Sequence, residues 1–287
     1  MEESRRRGAA HVSDEISADT SVPNSGPPLA QVFPKLPTVT IAGIPVANLT
    51  EDEAVAMIDH LISEGGSHYG AVVNAAKIVA ADRDERLKRV LLETDLITAD
   101  GMSVVWASRL LGHGLKQRVT GIDLFQRLVD HAAQRGLSVY FLGARDESVR
   151  GTVRRLATRY PNLRVAGYRN GYFALDESYA VARAIRCSRA DLLFVAMGSP
   201  AQEYWIATNL ALTGSRFALG VGGSFDHVSG FARRAPQWMQ RSGLEWLYRL
   251  SREPRRLWKR YLVGNSAFIW LIVRARVRSI RFSDSLK

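Results

Sequence analysis

The stretch Asp191–Trp205 changes from strand-forming to helix-forming residues within a few positions, and it constrains the fold more than any other part of the chain. Leu192–Met197 is a short, uninterrupted apolar run, which is typical of a parallel strand buried on both faces. A glycine ends this run. The sequence then predicts a helix with Ser199 as its N-cap, Pro200 at its first position and the Gln202 side chain bonding back to the cap.

A helix that starts at the carboxyl end of a strand presents unpaired backbone N–H groups and the positive end of the helix dipole. Both features suit a phosphate group. Every α/β domain contains several turns of this kind, so a purely structural turn is the alternative interpretation.

Strand-like and helix-like segments alternate along most of the chain, which predicts a mostly parallel α/β sheet with helices on both faces. The predicted strands are Val39–Val46 (a strand or hairpin), Ala71–Asn74, Asp95–Ala99, Ser138–Leu142, Leu163–Gly167, Leu192–Met197 and Phe217–Val221. The predicted helices are one that follows a capping box of Thr50 and Glu53, Ala75–Leu92, Met102–Leu111, Asp123–Arg135 after a Thr120 cap, Glu147–Tyr160, and Glu177–Cys187 after an Asp176 cap.

Composition divides the chain into a tail (1–37), a folded domain (38–232) and a basic C-terminal appendage (233–287). The tail contains five prolines and no periodic apolar residues, so we expect it to be disordered. From Arg233 to Lys287 there are 14 Lys and Arg against three acidic residues, which accounts for the whole net charge of +11. A segment this basic binds phosphate groups, whether on lipid, nucleic acid or a small substrate.

Within the appendage, Tyr261–Val273 is nearly apolar, and Arg274, Arg276, Arg278 and Arg281 follow it. Its 13 residues are too few to span a bilayer. An apolar face with aromatic and basic flanks predicts a helix that lies in the membrane interface. The alternatives are a core helix with a solvated basic face and a nucleic-acid-binding patch. The apolar run favours the membrane, so we expect no nucleic-acid partner.

Cysteine content and hydropathy bear on the cellular compartment. The chain has a single cysteine, Cys187, which cannot form an internal disulfide and fits a reducing compartment. The sequence shows neither an apolar run of about 20 residues nor the apolar core of a signal peptide. These features predict a cytoplasmic protein.

Polar residues and glycines follow most of the predicted strands, where ligands collect in open parallel sheets. They are Asn74, Asp100-Gly101, Gly143-Ala144-Arg145, Gly198-Ser199-Pro200 and Gly222-Gly223-Ser224-Phe225-Asp226. Asp100 stands out because Gly101 follows it directly, which places its side chain at a sharp strand-to-helix turn. A carboxylate at such a turn is often only a helix cap or turn former, which is the alternative.

Several other chemistries lack their sequence signals. Gly220–Phe225 begins like a dinucleotide fingerprint but has Phe225 in place of the third glycine, so it supports nicotinamide binding only weakly. There is no P-loop. The six histidines never fall at metal-ligand spacing with cysteine or with each other, and no Asp-x-Asp pair offers a divalent cation a site. The sequence therefore predicts a reaction that uses neither a metal nor a cofactor.

Eight short motifs occur in a characteristic order between about Val39 and Tyr261. They are Asn74–Lys77, Ala99–Val104, Arg118–Asp123, Phe141–Gly143, Gly198–Glu203, Gly220–Asp226, Arg234–Pro236 and Leu244–Leu250. This order resembles the WecG/TagA/CpsF glycosyltransferases, glycosyltransferase family 26. The resemblance implies an inverting, metal-independent enzyme with a Rossmann-like fold of the GT-E type. Such an enzyme moves a hexose from a UDP-sugar to a saccharide on undecaprenyl diphosphate during synthesis of a bacterial exopolysaccharide or other surface polymer.

The resemblance also implies roles for individual residues. Asp100 matches the catalytic base, which takes the proton from the attacking acceptor hydroxyl. The implied donor-binding residues are Asn74, Arg118, Gly143, Gly198, Gln202 and Asp226, although Asp226 could equally orient the glycine-rich loop. The arginines implied to engage the acceptor diphosphate are Arg249, Arg256 and Arg260.

The resulting expectation is a hexosyltransferase bound peripherally to the inner face of the cell membrane, with a neutral hexose as donor sugar. A non-catalytic nucleotide-binding protein with a basic tail for membrane or nucleic acid is the alternative, and a dehydrogenase is a more distant one. Release of UDP in the presence of a lipid-linked sugar discriminates between them. The sequence does not specify the acceptor sugar, the polymer or the oligomeric state.

Overall fold

The computed structural model describes residues 36–252 and 254–284. Within the C-terminal helices it leaves out the side chains of Arg241, Arg249, Arg256, Leu257 and residues 259–263 and 278–284. The tail predicted to be disordered therefore lies, up to residue 35, outside the described part of the chain.

The described strands form a small hairpin and a larger sheet. Their bounds are β1 (Thr38–Ile41), β2 (Ile44–Ala47), β3 (His68–Val73), β4 (Leu96–Ala99), β5 (Ser138–Gly143), β6 (Arg164–Arg169), β7 (Leu192–Ala196) and β8 (Phe217–Gly220). β1 and β2 pair antiparallel. The other six form a sheet in the order β4-β3-β8-β7-β5-β6, in which every neighbouring pair is parallel.

The described helices connect these strands and continue past the last of them. Their bounds are α1 (Glu51–Glu64), α2 (Ala75–Arg83), α3 (Glu85–Leu92), α4 (Met102–Leu110), α5 (Gly121–Arg135), α6 (Asp146–Arg159), α7 (Ser178–Ser188), α8 (Ala201–Thr213), α9 (Ser224–Ser229), α10 (Gln237–Arg241), α11 (Glu245–Arg252) and α12 (Pro254–Asp284). The predicted α/β class with a mostly parallel sheet is thus confirmed.

Two predicted helix starts have the expected capping geometry. At α1, the Thr50 hydroxyl accepts the Glu53 N–H at 3.2 Å, and the Glu53 carboxylate accepts the Thr50 N–H at 2.8 Å. At α5, the Thr120 hydroxyl accepts the Asp123 N–H at 3.2 Å. Each cap satisfies a backbone donor that the helix itself leaves unpaired.

The predicted single helix over Ala75–Leu92 is wrong, because the chain forms two helices there. Asp84 separates them. Its carboxylate accepts the N–H groups of Arg86 and Leu87 at 3.0 and 3.1 Å, so it caps α3 instead of continuing α2. A side chain that bonds to its own following backbone favours a new helix start over an uninterrupted helix.

The predicted Asp176 cap is also wrong. Asp176 lies inside a short 3-10 helix, Leu175–Glu177, and α7 begins only at Ser178. Glu177 makes the local contact in its place: its carboxylate accepts the Ala174 N–H at 2.9 Å.

Both faces of the sheet are covered by apolar side chains. On one face, Phe141 and Phe194 of β5 and β7 meet Phe125 of α5 and Phe225 of α9, with the centroids of Phe125 and Phe194 4.7 Å apart. The alternate residues of the same strands join a second core on the other face, to which Phe268 of α12 also belongs. Burial on both faces explains why these strands are apolar without alternation.

α12 uses part of its surface for this packing and leaves another part exposed. Phe268, Leu271 and Ile272 are buried in the core, whereas Ile269 and Trp270 are 63% and 58% exposed. No helix in the described part of the chain is long and apolar enough to cross a bilayer.

The strand order determines where a ligand can bind. The chain adds β4 beside β3 at one side of the sheet and then crosses to β5 near the other side. The carboxyl ends of parallel strands next to such a crossing form a crevice, which is the usual ligand site of open α/β sheets.

Candidate active site

Two adjoining cavities lie at the carboxyl ends of the strands. The first, here called the Asp100 cavity, has a volume of about 850 Å³ and is lined by Asn74, Asp100 and Arg118 among others. The second, the Gly198 cavity, has a volume of about 770 Å³ and includes Ala144 and Gly198 in its lining. Both volumes fall in the range of small-molecule sites.

One wall is common to the two cavities. Gly223, Asp226, Phe231 and Ala232 line both of them. These residues belong to the glycine-rich segment after β8, to α9 and to the loop beyond it. Molecules bound in the two cavities would therefore meet at this wall.

Asp100 is held at the end of β4 by the parallel ladder. Its N–H donates to the Val73 carbonyl at 2.7 Å, which extends the pairing of β3 and β4 by one bond. Gly101 follows with φ of +108°, a backbone conformation that residues with a Cβ atom rarely adopt. Gly101 is itself the N-cap of α4. The turn thus places the half-buried Asp100 at the cavity without making it the capping residue.

Asn74 caps α2 and lines the same cavity. Its side-chain oxygen accepts the Lys77 N–H at 3.0 Å. The amide nitrogen is then the donor that Asn74 has to offer a ligand.

Arg118 reaches the Asp100 cavity from the segment before α5. Its guanidinium lies 3.5 Å from the carboxylate of Glu245 in α11, and both side chains are about one-sixth exposed. Arg233 and Arg252 line the cavity as well. The lining holds three guanidinium groups beside three carboxylates, those of Asp100, Asp226 and Glu245, and planar guanidinium suits phosphate oxygens.

A second ion pair fixes the loop after α9. Arg234 donates two hydrogen bonds to the Asp123 carboxylate, at 2.5 and 2.7 Å. Burial raises the pKa of Asp123, but the hydrogen bonds from Arg234 and Thr120 outweigh it and hold that pKa below its usual value. Burial lowers the pKa of Arg234, yet its contact with Asp123 and the nearby charges of Glu245 and Asp100 raise it overall. Both pKa shifts favour the charged forms of Asp123 and Arg234.

Glycines make the Gly198 cavity possible. A Cβ on Gly143 would lie 2.5 Å from the Ala196 backbone, so only glycine lets β5 approach β7 this closely at its end. Gly143 lies behind the lining, and its neighbour Ala144 lines the cavity in its place. Gly198 has φ of +75° and lines the cavity directly.

The capping box predicted at the start of α8 is wrong. Pro200 is the N-cap, and α8 begins at Ala201. The Gln202 side chain is only 2% exposed and does not line either cavity. Its oxygen accepts the Gly222 N–H at 3.0 Å and its nitrogen donates to Glu203 at 2.9 Å, so its amide is not available to the cap. Gln202 holds the glycine-rich loop from behind.

Asp226 makes a hydrogen bond that joins two helices, and it also lines the candidate site. It accepts a hydrogen bond from the Ser148 hydroxyl at 2.6 Å, which joins α9 to α6. It also lines both cavities. Both interpretations made from the sequence thus remain compatible with its position.

The arginines implied for the acceptor diphosphate cannot be placed at the site. The side chains of Arg249, Arg256 and Arg260 lie outside the described part of the chain. Arg252 of α11, which no motif indicated, provides a cationic lining group.

A buried ion pair that was not predicted from the sequence joins α2 to α8. Lys77 of α2 donates to Glu203 of α8 at 2.6 Å, and the two side chains are 7% and 0% exposed. Burial raises the pKa of Tyr69 well above its usual value, and the Glu203 carboxylate adds to this shift. The signal was present in the sequence, because Lys77 opens the otherwise apolar segment Lys77–Ala81.

Among the described residues, no cluster of three or more His, Cys, Asp or Glu side chains could hold a metal ion. The polar groups that line the two cavities include the Asp100 carboxylate at a strand end, guanidinium groups, and glycine-rich turns with their backbone amides. This set can accept a proton from a hydroxyl and stabilise negative charge on a phosphate.

Comparison with known proteins gives consistent matches over most of the chain. The sequence model of the Glycosyl transferase WecG/TagA/CpsF family matches residues 39–281. The N-acetylglucosaminyldiphosphoundecaprenol N-acetyl-beta-D-mannosaminyltransferase of Bacillus subtilis is 36% identical over 226 residues, covering 78% of this chain and 87% of that protein. The protein of the same name from Bacillus spizizenii is 35% identical over 219 residues, covering 75% and 84%.

Proposed function

This chain belongs to the WecG/TagA/CpsF family of glycosyl transferases, and we propose that it transfers a hexose from a UDP-sugar to a saccharide on undecaprenyl diphosphate. The observation that carries the proposal is the position of Asp100 and Arg118 in one cavity beside a second, glycine-lined cavity. The names of the two Bacillus relatives support the acceptor, since both act on N-acetylglucosaminyldiphosphoundecaprenol.

In the proposed arrangement, the Gly198 cavity takes the nucleotide and the Asp100 cavity takes the acceptor. The donor sugar reaches across the shared wall toward Asp100 and Arg118. The glycine turns around Gly198 and Gly222 let backbone amides approach the diphosphate, as glycine-rich turns do at other nucleotide sites. The geometry that supports this division is the wall itself, because both cavities open onto Asp226.

The proposed reaction is a single displacement. The Asp100 carboxylate takes the proton from the acceptor hydroxyl while that oxygen attacks the anomeric carbon. The new glycosidic bond forms on one face as the bond to the UDP oxygen breaks on the other, so the anomeric configuration inverts. Inversion of an α-linked donor gives a β-linked product, which agrees with the β-linkage in the relatives' names.

Fixed positive charge stabilises the departing diphosphate in this proposal. Arg118 and Arg233 line the Asp100 cavity, and Arg118 is held there by its contact with Glu245 at 3.5 Å. Preorganised charge of this kind can lower the barrier without a metal ion. We therefore propose a metal-independent enzyme with no cofactor, and a neutral hexose donor for which UDP-N-acetylmannosamine is the first candidate to test.

A direct assay tests this function. The purified full chain is incubated with UDP-N-acetylmannosamine and a synthetic polyprenyl-diphosphate-linked N-acetylglucosamine, with EDTA present. We expect UDP release that depends on the acceptor, and a β-linked disaccharide by NMR. The control omits the acceptor. UDP release at the same rate without acceptor, or an α-linked product, would contradict the proposal. Nucleotide binding without any turnover on a panel of UDP-sugars would favour the non-catalytic alternative.

We also propose that the protein works in the cytoplasm, bound peripherally to the inner face of the membrane. The exposed apolar side chains of α12, including Trp270 at 58% and Val277 at 43%, support membrane contact. Arg274 lies over the Trp270 ring at 5.2 Å, so a cation accompanies this apolar surface. Apolar residues with adjacent arginines bind the interface of an anionic bilayer.

The double variant Trp270→Glu/Val277→Glu is expected to bind anionic vesicles at least about tenfold more weakly than the wild type, because burial of large apolar side chains drives partitioning. Co-sedimentation with phosphatidylglycerol vesicles measures this. Tyr179→Glu on α7 is the matched control, since Tyr179 is also 58% exposed but belongs to a different helix. Point variants are preferable to truncation, which would uncover the core that α12 covers. Equal binding by all three proteins would contradict membrane contact through α12.

A further inference from the structure

The Asp100 cavity has an extended apolar part that the proposed sugar chemistry does not use. Trp106 and Leu110 of α4 line it from one helix, and Ile269 and Val273 of α12 line it from another. These four side chains are 51%, 57%, 63% and 50% exposed. The cavity therefore continues from the reacting groups into a groove between α4 and α12, here called the α4–α12 groove.

Both walls of this groove are firmly placed. α4 is anchored by Val104, which is fully buried, and Phe268 and Ile272 anchor α12 in the same core. The exposure of the groove side chains is therefore a fixed feature of the surface. Contiguous exposed apolar surface usually marks a binding site, because its burial against a ligand is favourable.

The occupant of the groove has to satisfy a geometric condition. Because the groove and Asp100 line one cavity, the occupant is either part of the molecule that reacts at Asp100 or lies directly against it. Arg252, which the proposed reaction does not assign to the departing nucleotide, lines the same cavity, so the reacting molecule also meets a cationic group. A lipid-linked saccharide has the three parts that this cavity requires. It has a hydroxyl that Asp100 can deprotonate, a diphosphate that can bind a cationic group, and a hydrocarbon chain that can cover the apolar groove.

We propose that the α4–α12 groove binds the first isoprenoid units of the polyprenyl acceptor, next to its diphosphate. This inference rests on the proposed function and adds to it the place where the lipid chain is recognised. The enzyme would then select its acceptor by the hydrocarbon as well as by the sugar. Trp106 and Ile269, on opposite helices, would cover the chain from both sides.

The groove can be tested with water-soluble acceptors that need no membrane. Two acceptors share the N-acetylglucosaminyl diphosphate head, and one carries a farnesyl chain while the other carries a methyl group. For the wild type we expect kcat/KM to be at least roughly tenfold higher with the farnesyl acceptor, because the groove removes apolar surface from water. In Leu110→Asp and in Ile269→Asp, this preference should fall to near one, with kcat/KM for the farnesyl acceptor lowered far more than that for the methyl acceptor.

Leu175→Asp is the matched control, since Leu175 is 93% exposed in the short 3-10 helix and lies outside the lining of the cavity. It should keep the full farnesyl preference. If the wild type used both acceptors equally, the proposed lipid site in the groove would be wrong, whereas the proposed function would be unaffected. Absence of transfer to either acceptor would overturn both proposals.

A second measurement does not depend on variants that fold. Farnesyl diphosphate with a photoreactive diazirine at the third isoprene unit is irradiated with the full chain, and the labelled peptides are identified by mass spectrometry. We expect labels in α4 and α12, and we expect unlabelled farnesyl diphosphate to compete for them. Labelling confined to other helices, or labels that do not compete, would overturn the proposed groove.

Discussion

Replacement of Asp100 by asparagine is expected to lower the turnover number about 10²–10⁴-fold, which is the usual contribution of a positioned general base. Asparagine has the same shape and preserves the backbone bond between the Asp100 N–H and the Val73 carbonyl. Its amide cannot accept the proton of the acceptor hydroxyl. The loss should therefore appear in turnover, and the affinity for the UDP-sugar should change little.

Acceptor-dependent UDP release measures turnover, and isothermal titration calorimetry with UDP measures nucleotide binding. Asp82→Asn is the control, because Asp82 is an exposed carboxylate at the far end of α2. It is expected to behave like the wild type. If Asp100→Asn retained turnover within a few-fold of the wild type, Asp100 would not be the base, and the proposed mechanism would be wrong.

Replacement of Lys77 by methionine is expected to lower the free energy of unfolding by about 3–5 kcal/mol, because it leaves a buried carboxylate without its partner. Lys77 donates to Glu203 at 2.6 Å, and the Glu203 side chain is fully buried. Its other carboxylate oxygen has no hydrogen-bond partner among the described residues. When the ammonium group is removed, the charge keeps the neutral Gln202 amide as a donor, at 2.9 Å, but has lost its countercharge.

The double variant Lys77→Met/Glu203→Leu separates the cost of an unpaired charge from the cost of altered packing. Removal of both charges is expected to recover most of the loss, since a buried ion pair can often be replaced by apolar residues at little cost. Urea unfolding followed by circular dichroism measures all four corners of the cycle. A double variant that is less stable than Lys77→Met would contradict this account. Gln202 donates to Glu203 and accepts the Gly222 N–H, so Lys77→Met should in addition loosen the loop at Gly222.

Much of the fold could be predicted because its signals are local. The apolar runs of β5, β7 and β8 are short and uninterrupted, and the capping box at Thr50 involves residues only three positions apart. Asp84 shows where local reasoning fails. The apolar residues on both sides of it continue the same periodic pattern, and the choice between an interior position and a cap depends on a hydrogen bond that the pattern does not report.

The candidate site was predictable in outline for a topological reason. Asn74, Asp100 and Asp226 follow different strands, and a parallel sheet brings all carboxyl ends to one edge. The contacts between motifs could not be predicted in the same way. Lys77 and Glu203 are 126 positions apart, and no rule of spacing pairs residues across that distance. The motif residues Asp123 and Arg234 are likewise partners of each other, so part of the motif pattern reflects assembly of the site.

The wall formed by Gly223, Asp226, Phe231 and Ala232 belongs to both cavities. If this wall shifts when a ligand fills one cavity, the shift changes the affinity of the other cavity for its own ligand. The two binding events are then linked by a coupling free energy. Thermodynamic linkage requires this energy to act equally in both directions. If a bound nucleotide tightens the hold on a lipid-linked sugar, then the sugar tightens the hold on the nucleotide by the same factor, and departure of either product loosens the other.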